Sequence, residues 1–173
     1  MSEERAQYGL DEIFDYKNQI MEDLLTNPGI VSLITDDPHL RQHPERLVYT
    51  QIYPWERVPD TTEDATVYIC CEVDVRKIPN KTYMLPTIYV WVIVHDSLLR
   101  LPNGGGVRYD KLSSEIVKTL NGSRKYGLGE LDLSGVKKIS PIDHYQGRTL
   151  TFDTFEFNRQ SPTGKEVPSK RRG

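Results

Sequence analysis

The run Thr87-Ile88-Tyr89-Val90-Trp91-Val92-Ile93-Val94 constrains this chain more than any other segment. It is apolar on both faces of a two-residue period and rich in β-branched and aromatic side chains, which suit the interior of a sheet. A strand of that kind needs cover above and below, so it is predicted to be central. The preceding segment supplies a neighbour. Val67, Ile69, Cys71, Val73 and Val75 form one apolar face, while Glu72, Asp74 and Arg76 occupy the other. That alternation marks a half-buried strand with one solvated side. Ile78-Pro79-Asn80-Lys81 turns the chain between the two.

Helical periodicity brackets this pair. From Leu10 to Leu25, Ile13, Tyr16, Ile20 and Leu24 recur at helical spacing, and Asn27-Pro28-Gly29 stops the pattern. Asp11 and Glu12 sit in the first turn, at the positive end of the helix dipole. A shorter piece, Ile30 to Ile34, ends at Asp36-Asp37-Pro38. A loop holding Pro102 and Gly104-Gly105-Gly106 precedes a second long helix. Its stripe is Tyr109, Leu112, Ile116, Val117 and Leu120, and Asn121-Gly122 ends it.

Further strands fit Leu131 to Ile139 and Thr149 to Phe157. In the latter, Leu150 and Phe152 lie on one face and Phe155 and Phe157 on the other, which implies a two-sided strand or a bulge near Asp153. Residues 36–63 hold Pro38, Pro44, Pro54 and Pro59 and read as a long extended connection, with Arg46 to Ile52 its best strand candidate. The order helix, strand, strand, helix, strand, strand has hairpins and one helical crossover. It predicts an α+β fold, with a mostly antiparallel sheet of four to five strands and helices packed on one face.

Length decides the domain count: 173 residues fit one domain, predicted over residues 1–158, with a flexible basic tail over 159–173. No apolar run approaches the roughly 20 residues that cross a bilayer, so no membrane partner is expected. Met1-Ser2-Glu3-Glu4-Arg5 is charged and polar, unlike a signal peptide, which points to a cytosol-like compartment. Cys70 and Cys71 are adjacent, so in a strand they face opposite ways and are expected as free buried thiols. Net charge is −3, yet the segment from Thr163 carries +3, leaving −6 on the body. An acidic body repels phosphate and argues against a DNA-binding fold.

Chemistry is sparse. His39 and His43 are spaced for one helical face, but Pro38 and Pro44 bracket them and no third ligand stands near. His95 beside Asp96 has the form of a base with its orienter, though a satisfied histidine at a strand end is commoner. Gly104–Gly106 lacks the Lys-Ser/Thr of a phosphate loop. Ser113-Ser114 fall within the helix, with no nucleophile motif. No catalytic residue, cofactor or metal is therefore assigned, and the chain reads as a non-enzyme. Tyr49, Tyr53, Trp55, Tyr83, Tyr126 and Tyr145 flank the regular elements, where large rings often anchor interfaces. Glu72 and Asp74, on the solvated strand face, are further contact candidates.

The stretch Thr87 to Asn158 resembles tail-terminator and tail-completion proteins of long-tailed bacteriophages and related prophage neck proteins. The resemblance rests on an apolar strand ending in His95, then a Gly-rich loop into Gly106-Val107-Arg108-Tyr109-Asp110-Lys111-Leu112. Glu115-Ile116, Asn121-Gly122, Gly127-Leu128-Gly129 and Ser140-Pro141-Ile142-Asp143 follow, then the closing Gly147-Arg148-Thr149-Leu150-Thr151-Phe152. The opening Asp11-Glu12-Ile13-Phe14-Asp15-Tyr16-Lys17 also fits. The resemblance implies a structural virion protein: a ring, usually hexameric, that caps the tail tube and offers a face to the head connector. It implies assembly in the host cytoplasm and a place in the virion neck. Genomic DNA would pass through the lumen without specific binding. Arg108, Asp110 and Arg148 join the interface candidates on these motifs. A head-completion or connector neck protein is the nearest rival, and a small enzyme or regulatory binding protein the other.

Overall fold

The computed structural model describes residues 11–60, 64–77 and 83–157. The predicted turn at Ile78–Lys81 and the basic tail over 159–173 lie outside them.

Helix α1 (Asp11–Leu25) buries Tyr16, Ile20, Met21 and Leu24. Helix α2 (Pro28–Ile34) starts at Asn27, whose side-chain oxygen accepts the N–H groups of Gly29 at 2.8 Å and Ile30 at 3.3 Å. Pro28 fits the first turn because its missing N–H has no helical partner there anyway. Helix α3 (Pro38–Gln42) repeats the device, with Asp37 accepting the His39 N–H at 2.8 Å. Strand β1 (Ile52–Tyr53) is brief. Strands β2 (Val67–Lys77) and β3 (Tyr83–His95) form the long hairpin. Helix α4 (Arg108–Leu120) buries Leu112, Ile116 and Leu120. Its end is set by Gly122, whose φ of 77° suits a residue without a Cβ. Strands β4 (Asp132–Ile142), β5 (Tyr145–Asp153) and β6 (Glu156–Phe157) close the order.

The strands line up as β1-β2-β3-β5-β4, with β3 central, and β6 pairs with the start of β3. Every pairing is antiparallel except β1 with β2. This is the predicted α+β fold with a mostly antiparallel sheet. Helix α1 packs on β2, and α4 packs on β3 and β5. Between these layers lies the main core, where Ile69, Cys71, Ile88, Val90, Val92, Leu150 and Phe152 meet Ile20, Leu24, Leu112 and Ile116. Each such side chain, fully buried, contributes about 1.5–3 kcal/mol. Cys70 faces the other way, into a smaller cluster with Tyr53, Tyr68, Ile93 and Tyr145. Both thiols are free, as their adjacency predicts.

Two predicted elements are corrected. Arg46–Ile52 is not a strand: Pro44–Leu47 coils into a 3-10 turn, and Tyr49 takes φ of 60°, which breaks any extended run. The connection is not simply extended either, since α3, the turn and β1 occupy it. The single strand Thr149–Phe157 is instead two. Pro86, within β3, has no N–H to offer the ladder, and β5 stops at Asp153 while Thr154 donates to the Pro86 carbonyl at 3.2 Å. The pairing resumes only at Met84↔Glu156.

Candidate interaction surfaces

The face of the sheet away from the helices is only partly covered. Trp91, Ile93 and Ile139 form an apolar floor there, flanked by Arg57 and Lys137 around a cavity of about 360 Å³. Arg57 lies over the Tyr53 ring at 4.7 Å and over Tyr68 at 5.4 Å, and donates to the Tyr53 hydroxyl at 3.0 Å. Above this cluster, Tyr49 and Trp55 stack at 5.7 Å and 20°. They are 59% and 44% exposed, a paired aromatic ridge in water.

The predicted contact residues divide sharply. Tyr49, Trp55, Asp74 and Asp110 are exposed. Tyr53, Tyr126, Tyr145 and Arg108 are buried and therefore are corrected: within this subunit they are internal ties. Tyr53 donates to the Thr50 carbonyl at 3.0 Å. Tyr126 donates to Asp23 Oδ2 at 2.6 Å. Tyr145 packs edge-on against His95 with 5.0 Å between ring centroids. Arg108 donates to two carbonyls, Leu98 and Leu33, each at 2.9 Å, stitching the loop before α4 to α2. Sequence position alone cannot tell a ring that flanks an element from one that folds back under it.

Glu72 is also engaged. Its carboxylate pairs with Lys17 of α1 and accepts the Val73 N–H at 3.0 Å, so it wraps the edge of β2. Arg148 and Asp110 pair with each other, with the guanidinium 5.6 Å from the Tyr109 ring. That pair stands beside a second hollow, about 300 Å³, between α4 and the β4 side of the sheet. Ser113, Val117, Lys118, Val136 and Leu150 line it. Val136 is 51% exposed because no helix covers β4.

Both sheet edges are open among the described residues. β1 covers β2 only at Ile69 and Cys70, and β4 has a neighbour on one side. The β4 edge is not a plain template for a further strand. Its register shifts between Leu133 and Gly135 and between Ile139 and Ile142, and Lys137, Lys138 and Pro141 punctuate it.

Reactive chemistry is muted. Burial pushes the Cys70 thiol up to about 11 and the Cys71 thiol up to about 12, so neither is a ready nucleophile. Asp96 does not orient His95: it accepts from Gln146 at 2.9 Å and stands 3.8 Å from His144, while His95 Nδ1 meets the Ser97 hydroxyl at 2.8 Å. His39 and His43 come within 5.1 Å, yet no group of three potential metal ligands gathers among the described residues. No helix among them is long and apolar enough to cross a membrane.

The YomW family matches residues 27–154, from the cap of α2 to just past β5. The chain belongs to the YomW family. This is a phage-derived, Bacillus prophage-type family, so the phage origin suggested by the sequence holds at that level. No curated protein matches the chain. For this YomW family member, the matched span takes in the whole β1-β2-β3-β5-β4 path and α4, and leaves α1 outside.

Proposed function

We propose that this chain is a structural neck protein, a tail terminator whose copies close into a ring on the finished tail tube and present a face to the head connector. The observation that carries this reading is the unlikeness of the two open flanks. One ends in β4 with no helix over it; the other ends in β2 and the two-residue β1 beside it, with α1 above β2. Unlike flanks favour head-to-tail contacts, and such contacts close into a ring when the rotation per subunit fits. Phage ancestry agrees with it.

The stacked Tyr49–Trp55 ridge is the surface this reading assigns to the tube or the connector. Rigid amphipathic rings make strong anchors at low entropic cost. An acidic lumen that lets DNA slide belongs to the same reading and suits the body charge of −6.

Negative-stain imaging of the purified protein, alone and with tail tubes, tests this. Six-membered rings seated on tube ends are expected. Twelve-membered rings on portal-like connectors mean the adaptor role instead. A protein that stays monomeric in both settings overturns the ring.

A further inference from the structure

We infer that the ring contact joins α1 of one copy to the α4–β4 groove of the next, with Phe14 as the inserted side chain; this rests on the ring reading above. Phe14 is the most exposed large apolar residue of the described chain, at 66%. Its position on α1 follows from helical geometry. At about 100° per residue it lies roughly opposite Asp23, which faces Tyr126 and Lys125, and about 60° from Lys17, which reaches Glu72 on β2. Phe14 therefore points outward on the β2 flank.

The groove lies at the other end of the strand order. Val117, Val136 and Leu150 give it an apolar lining of a size for one aromatic ring, about 300 Å³ in all. The flanks also match in charge. Asp15 beside Phe14 and Glu22, about two turns further along α1, are exposed. The groove is bordered by Lys111, Lys118, Arg148 and, opposite Arg148 in register, Lys138, against the two carboxylates Glu115 and Asp110. An acidic ridge with one aromatic knob thus meets a cationic border around an apolar hollow. The irregular β4 edge fits this arrangement, because side chains of the helical layer make the contact and no strand ladder is required.

The test uses two surface variants of the full chain, Phe14→Glu and Val136→Glu, followed by sedimentation and cross-linking. Each alone is expected to lose ring formation, with association weakened at least ~tenfold, while thermal melting stays close to wild type. Mixed one to one, they are expected to recover a dimer and nothing larger, since one variant keeps an intact groove and the other an intact knob. Lys118→Glu combined with Lys138→Glu gives a second loss that keeps the apolar lining. Wild-type rings that persist in either single variant, or a mixture that fails to dimerise, overturn this contact and leave the ring standing. A wild type that never forms rings removes both.

Discussion

Tyr16 and Glu156 stand 140 positions apart in the chain, and the Tyr16 hydroxyl donates to Glu156 Oε2 across 2.6 Å of buried space. Beside them Tyr126 donates to Asp23 Oδ2, also at 2.6 Å, and the two tyrosine rings meet edge to face at 6.2 Å. Lys125 Nζ closes the network on Asp23 Oδ1 at 2.7 Å. One face of α1 is thereby tied to β6 and to the loop leading into β4. Charge-assisted hydrogen bonds of this kind are worth more than neutral ones.

Tyr126→Phe keeps the ring and removes the donor. Asp23 retains Lys125 and Gln19, so the loss is expected at about 1–2 kcal/mol. In a chain of this length that lowers the thermal midpoint by about 2–8 °C. Denaturant unfolding checks it, and an unchanged midpoint removes this network from the forces holding α1.

Stability is expected to fall in alkali. A thiol is neutral when protonated, and burial favours that form, so folded Cys70 and Cys71 hold their protons above the ordinary value of 9.0. Their contribution is complete below pH 9 and is lost as pH rises through about 11 to 12. Tyr126, raised by burial and then by its bond to Asp23, acts in the same direction. Unfolding curves at pH 8 and above pH 10 measure this. Thiol reagents at pH 8 are expected to label the native chain far more slowly than the unfolded one.

Gly147→Ala is expected to be the most damaging small change. A Cβ there would stand 1.7 Å from the Val92 carbonyl oxygen of the central strand, and backbone cannot yield as a side chain does. A cost of about 3 kcal/mol or more follows, read as loss of soluble protein or of cooperative melting.

Arg108→Lys tests the correction from surface to interior. One ammonium cannot span the Leu33 and Leu98 carbonyls with the fixed fork of a guanidinium. Destabilisation of about 1–3 kcal/mol is expected, because a buried acceptor loses its partner. Wild-type stability in Arg108→Lys would place the residue back among the surface candidates.

Tyr49→Ala and Trp55→Ala should behave in the opposite way. Both rings are about half in water, so melting moves little, whereas capture of tail tubes weakens at least ~tenfold for each. Undiminished capture by both variants removes the ridge from the docking face.

Much of the fold was legible from pattern. Thr87–Val94 reads as central because both of its faces are apolar, and β3 is indeed flanked by β2 and β5. The stripes on α1 and α4 and their Gly and Asn stops are local facts of spacing and backbone freedom. The split after Asp153 was visible only as a change of face in the sequence. Its cause, Pro86 on the facing strand, lies 68 positions before Thr154 and acts only once the two are paired.

The contact surface was less legible. Tyr53, Tyr126 and Tyr145 look like Tyr49 and Trp55 in sequence, since each flanks an element and each is amphipathic. Which rings remain outside depends on whether the chain folds back over them, and for Tyr126 and Tyr145 Asp23 and His95 decide that from distant positions. Phe14 carried a signal, an apolar residue off the buried stripe of α1, but its meaning depends on the groove at the other end of the sheet.

The amino-acid order alone determined the long helices and the β2–β3 hairpin strands with their faces, because periodicity and caps act within a few residues. Tertiary structure decided which polar and aromatic side chains stay in water, because burial is set by what packs from far along the chain. The unlike flanks belong to that second kind: they exist only after β4 has paired outside β5 and α1 has settled over β2.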